Sequence, residues 1–225
     1  MLRVATGLLM FLLSAAVANA ATPRQTLLSA AYQARDKPTA LEKIGEAEAQ
    51  ADAVLRGAPG DREARMIKAM ADGYRAKLNR SRSHAVDARK SFEALAAADP
   101  RDPEAQAAIG AWHIDAVSEL GGFIAGTMLG ASRTTGLAAM DRAVSMGGDR
   151  AMFPGLAALL RLSLDAKDVQ VLALAERAAG AATPTALDRV MQRAASALLP
   201  KLRAGDRRGA QAMARQLLPF GSIAK

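Results

Sequence analysis

The sequence predicts an all-α protein of about ten helices, and three observations carry that expectation. Alanine is abundant while β-branched residues are sparse, and aromatic residues make up only 4% of the 225-residue chain. Such a composition favours closely packed helices over sheets. Helix start and stop signals recur at regular intervals along the chain, and no segment alternates apolar and polar residues as a half-buried strand would.

Each element has a local reason. Thr22-Pro23 opens a first helix running to about Ala34, and Lys37-Pro38-Thr39 starts a second that Gly57-Ala58-Pro59-Gly60 stops. Asp61 is a good N-cap for a third helix to about Leu78. After the polar break at 79–83, a fourth helix runs to Ala98. Asp102-Pro103-Glu104 then supplies an N-cap, a first-turn proline and a first-turn acid for a fifth. Further helices are expected near 133–146, 152–164, 167–179, 185–199 and 206–218, separated by Gly147-Gly148, Gly180, Thr183-Pro184, Pro200 and Gly205.

The first twenty residues stand apart. Arg3 is followed by an uncharged, mostly apolar run from Val4 to Ala18, then by Ala18-Asn19-Ala20. A basic head, a short apolar core and a small-x-small exit predict a secretory signal peptide cut after Ala20, leaving one domain over 21–225 that works in the periplasm. The run is shorter than the roughly 20 residues a membrane span needs, and no later apolar run reaches that length. There is no cysteine, which excludes disulfides, thiolate metal sites, a cysteine nucleophile and a lipid-modified N-terminal cysteine.

The even punctuation invites a search for an internal repeat. Ala47, Ala51, Val54 and Pro59 share a spacing with Ala88, Phe92, Leu95 and Pro100. Gly136, Met140 and Ala143 repeat it with Gly148 in place of the proline. Val171, Ala175 and Ala178 repeat it loosely before Pro184. In the preceding helices Gly110 with His113, and more weakly Gly73, form a glycine and ring pair. These positions resemble the tetratricopeptide (TPR) family, in which small residues admit close helix contact, a bulky one fills the groove and a proline ends the repeat. The resemblance spans residues 23–184 and implies antiparallel helical hairpins stacked in an irregular right-handed array, with 185–220 as capping helices. The terminators at 59, 100, 148 and 184 are unevenly spaced, against about 34 residues in a standard repeat. A non-repeating α-bundle fits the same helices.

The widest interval holds an insertion. Residues 120–132 carry no charge and four glycines, with Phe123, Ile124, Met128 and Leu129 among them. The segment is expected to break at Gly121-Gly122 and to continue as a second apolar piece. Gly122, Gly126 and Gly130 would give that piece a smooth stripe for close helix contact. It serves either as an internal plug filling the concave side of the array, or as a functional segment that lines a pocket or presents an apolar surface to a partner or ligand.

Familiar catalytic chemistry is missing: there is no HExxH, no GxSxG and no phosphate-binding glycine loop before a lysine. His84 stands beside Arg80 and Arg82, and His113 follows Trp112; both histidines read as packing or capping residues, and no cofactor or metal is implied. Basic charge is clustered, with a net +5 over 75–90 and again over 201–225, against −3 over 42–52, in a chain of formal charge +8. For an exported protein the expected partners are an acidic protein or peptide, or the anionic envelope surface, rather than nucleic acid. The sequence therefore predicts a non-catalytic interaction scaffold that takes its partner in a helical-repeat groove. The alternative is a small-molecule or transporter-accessory protein with an apolar cavity near 120–132. The candidate contact residues are Trp112, His113, Phe123, Gly126, Met128, Arg75, Arg80 and Arg82.

Overall fold

A computed structural model describes residues 21–223 of the chain. The signal segment expected at 1–20 lies outside them. The described residues form eleven helices: α1 (Pro23–Tyr32), α2 (Lys37–Gly57), α3 (Arg62–Asn79), α4 (Arg82–Ala98), α5 (Pro103–Leu120), α6 (Gly122–Leu129), α7 (Arg133–Met146), α8 (Met152–Leu164), α9 (Val171–Gly180), α10 (Ala186–Arg203) and α11 (Arg207–Leu217). The fold is all-α; one isolated bridge between Arg150 and Ala182 is the sole β-type pairing among these residues.

Most boundaries follow from their caps. Thr22 and Gln25 form a capping box at α1, and Asp36, Asp61, Ser81, Ser132 and Asp206 each accept a backbone N–H two or three residues into their helices. Two boundaries differ from expectation. α9 begins at Val171 rather than 167, because the Asp165 and Asp168 carboxylates accept the N–H groups of Lys167 and Gln170 and hold the chain in turns. α10 passes through Pro200 to Arg203. The proline falls in the last turn, where the missing donor is offset by Leu198, Leu199 and Leu202 packed on the core.

Consecutive helices pack on one another except α6 and α7, where α5 meets α7 directly; α1 with α3, α3 with α5, α5 with α8, and α8 with α10 and α11 make a second set of contacts. The small and bulky positions that share a spacing are buried: Ala47, Ala51, Ala88, Phe92, Met140, Ala143, Val171, Ala175 and Ala178. Leu95 is only half-buried and Val54 stays exposed. α5 and α7 approach most closely at two glycines. A Cβ on Gly110 would lie 2.9 Å from the Met140 nitrogen, and one on Gly136 would lie 2.8 Å from Ile114.

Three apolar clusters fill the molecule. One gathers α1, α2 and α3 with Phe220; a second joins α3, α4 and α5 around Phe92; the largest joins α5 and α7–α11 around Phe153, and takes in Leu28 of α1. A chain of ion pairs crosses them. Arg24 of α1 meets Glu63 of α3 and Glu104 of α5, and Arg150 carries the chain from Glu104 to the buried Asp188 of α10.

Candidate docking site

The insertion emerges as α6, in the connection between α5 and α7, and it stands outside the core. Gly121 begins it with φ 78° and ψ 152°, a conformation open essentially to glycine alone. Gly130 ends it in the left-handed region, where a Cβ would meet the Arg89 guanidinium. Between these breaks only Ala125 is buried. Phe123 is 86% exposed, Met128 52% and Ile124 48%, and Leu120 just before them is also exposed. Residues 120–132 thus form a projecting apolar lip, not an internal plug. The glycine stripe does not seat a helix along its length: nothing lies near Gly122, Gly126 meets only the Ala131 carbonyl, at 3.6 Å, and only Gly130 at its end is approached, by the Arg89 side chain of α4.

The lip is held from below by α4 and α5. Arg82 donates from Nε to the Met128 carbonyl at 2.9 Å, which ties the end of α6 to the start of α4. Arg89 lies under Gly130 and 5.6 Å from the centre of the Trp112 ring. The half-buried Trp112 donates its indole N–H to the Ala85 carbonyl at 2.9 Å and meets His113 edge-on at 4.9 Å. His113, 4% exposed, accepts the Ser132 N–H at Nδ1 over 3.3 Å. Burial, aided by the Arg89 charge, lowers its pKa, so the ring stays neutral and keeps that acceptor. Ser132 is also the N-cap of α7. His113 therefore anchors the point where the lip rejoins the array.

The eight candidate residues separate by role. Phe123, Gly126 and Met128 are on the exposed lip, Trp112 and His113 brace it, and Arg82 fastens it. Arg80, in the left-handed region at the end of α3, is exposed two residues before Arg82. Arg75 is elsewhere in function: it pairs with Glu48 of α2 at 2.6 Å, as Lys77 pairs with Asp115 at 2.5 Å. His84 faces Asp72 across 3.1 Å. Arg89, which supports both Gly130 and Trp112, was not among the candidates. Nothing local in the sequence marks it, because its partners are 23 and 41 residues away.

Two shallow clefts lie apart from the lip. One, of about 210 Å³, is lined by Leu28 and Tyr32 of α1 with Arg189 and Arg193 of α10; the other, of about 180 Å³, lies between Arg65 and Leu95. Among the described residues no group of three or more His, Asp or Glu side chains is placed to hold a metal ion, and no helix is long and apolar enough to cross a membrane. Comparison with protein-family models, with curated proteins and with solved structures finds no match to this chain.

Proposed function

We propose that the chain is an exported, non-catalytic interaction protein of TPR-like build that docks onto its partner through the α6 lip. The observation that carries this reading is the 86% exposure of Phe123 beside the exposed Ile124 and Met128 on one short uncharged helix. Scattered surface apolar residues need no explanation, but a contiguous group on one projecting element marks a contact surface. The lip is fixed by Arg82, Arg89 and His113, so it is presented ready-formed and little ordering entropy opposes docking. Helices α5 and α7–α11, with Leu28 of α1, contribute to one shared core, which is why the docking element assigned is the outer lip rather than a groove between helices. The alternative reading, a ligand cavity near 120–132, draws no support from the two clefts, neither of which includes those residues.

Photo-crosslinking in intact cells tests the reading. A photoreactive residue at Ile124 is expected to give adducts that mass spectrometry identifies and that Phe123→Ser abolishes. The same residue at Ala53, exposed on α2, is expected to give none of them. Equal adducts at both positions, or none at Ile124, overturns the assignment.

A further inference from the structure

We infer that the surface the lip docks onto is an anionic lipid bilayer, which α6 enters at the headgroup level; this rests on the reading of α6 as the docking element. Three observations favour a bilayer over a protein partner. First, α6 offers no directional address. It carries no charged side chain, and its one hydroxyl, on Thr127, is already bonded to the Phe123 carbonyl at 2.5 Å. A protein interface typically carries about one hydrogen bond per 100–200 Å², whereas acyl chains accept apolar side chains without a matching pocket.

Second, the lip projects rather than lining a groove. Leu120, Phe123, Ile124 and Met128 all protrude into solvent, and eight helical residues span about 12 Å. That is a fitting size for shallow insertion at the boundary between headgroups and acyl chains, about 5–10 Å deep in amphipathic anchors.

Third, the flanking charge is complementary. Arg82 is bonded to α6 itself, Arg80 is exposed two residues before it, Lys90 is exposed on α4 and Arg133 opens α7. The exposed carboxylates on the adjoining helices are Asp87 and Glu93 on α4, Glu119 on α5 and Asp141 on α7; Glu93 is paired with Arg89 at 3.7 Å, Asp141 with Arg161 at 2.5 Å, and Asp165 with Arg133 at 3.6 Å. The balance stays positive. Basic residues beside an apolar insertion are the combination that holds a protein to anionic headgroups.

The absence of cysteine makes the test direct. The full exported chain carrying Phe123→Cys, labelled with a polarity-sensitive dye, is mixed with vesicles of phosphatidylcholine containing phosphatidylglycerol, and with vesicles of phosphatidylcholine alone. The expected result is a blue shift with the anionic vesicles that weakens at high salt, and none for label at Ala53→Cys. On the unlabelled chain, co-sedimentation with the anionic vesicles should fall about tenfold for Phe123→Asp and about fivefold for Arg80→Glu. Both positions are exposed, so circular dichroism and melting should not change. No blue shift, or co-sedimentation indifferent to Phe123→Asp, overturns the bilayer inference. If Ile124 still crosslinks to a protein, or to a second copy of this chain, while vesicles leave the dye unmoved, the bilayer inference falls and the docking reading stands. If neither responds, both fall.

Discussion

At the scale of single residues, two helical glycines ten residues apart have opposite uses. Gly136 sits where α7 meets α5, and a Cβ there would come within 2.9 Å of the His113 Cβ as well as 2.8 Å of Ile114. Gly126 is on the exposed lip with 3.6 Å of clearance. Gly136→Ala should therefore destabilise by about 1–3 kcal/mol through overpacking. Gly126→Ala should stabilise by about 0.5–1 kcal/mol, because alanine loses less backbone freedom in a helix. Urea denaturation of the two variants checks both signs. His113 supplies a pH test. Its folded pKa is lowered by burial and by Arg89, so below about pH 6.5 the unfolded chain takes up the proton first. Stability is full above that pH and is lost as pH falls towards the folded pKa. His113→Gln should flatten that part of the profile, read as melting temperature against pH. The glycines and His113 were visible in the sequence as candidates. Their surroundings were not, because what a Cβ would meet depends on residues far along the chain.

At the scale of elements, the sequence was most legible where a helix caps itself and least where another helix caps it. Asp61 and Asp102 announce α3 and α5 within three residues. α8 has no such announcement: its N-cap Ala151 has no side-chain cap, and the Met152 N–H is accepted by the Asp188 carboxylate of α10 at 2.9 Å. Asp188 also accepts the Thr185 hydroxyl and N–H and faces Arg150. Burial alone would raise its pKa, but Thr185, the Met152 N–H and Arg150 more than offset that and lower it. Asp188→Ala would leave the Met152 N–H at the start of α8 without its acceptor and take one of the two carboxylates from the half-buried Arg150, which keeps Glu104, and should cost about 1–3 kcal/mol. A chemical-denaturation midpoint shift with unchanged slope would confirm it; a loss under about 1 kcal/mol would reject the carboxylate as a shared cap. The lip shows the opposite case. Gly121-Gly122 marked its start in the sequence, yet four apolar side chains in an uncharged run argue for burial. Only the packing of α5 directly against α7 leaves them outside.

At the scale of the whole molecule, the last described segment returns to the first described helix. Phe220 follows α11, yet its N–H is bonded to the Ala31 carbonyl of α1 at 2.8 Å and its ring meets Tyr74 of α3 edge-on at 5.0 Å. It belongs to the N-terminal apolar cluster, while Leu28 of α1 belongs to the C-terminal one and Tyr32 packs against both. Phe220 holds this place with φ 62°, a conformation that a bulky residue adopts only when its surroundings impose it. The sequence suggested helices that merely cap one end of a stack. A contact spanning 189 residues has no local signature, so the closure was not legible. It changes the expected unfolding. In an open array each unit touches only its neighbours, and the terminal units fray on their own. Here the first and last segments stabilise one another, so the described residues should unfold in one transition. Phe220→Ala should cost about 3–5 kcal/mol. It should also lower the hydrogen-exchange protection of amides in α1 and α2, which lie at the far end of the sequence. Protection in α1 and α2 unaltered by the substitution would show that the return of the chain contributes nothing to the first hairpin, and that the array behaves as an open stack.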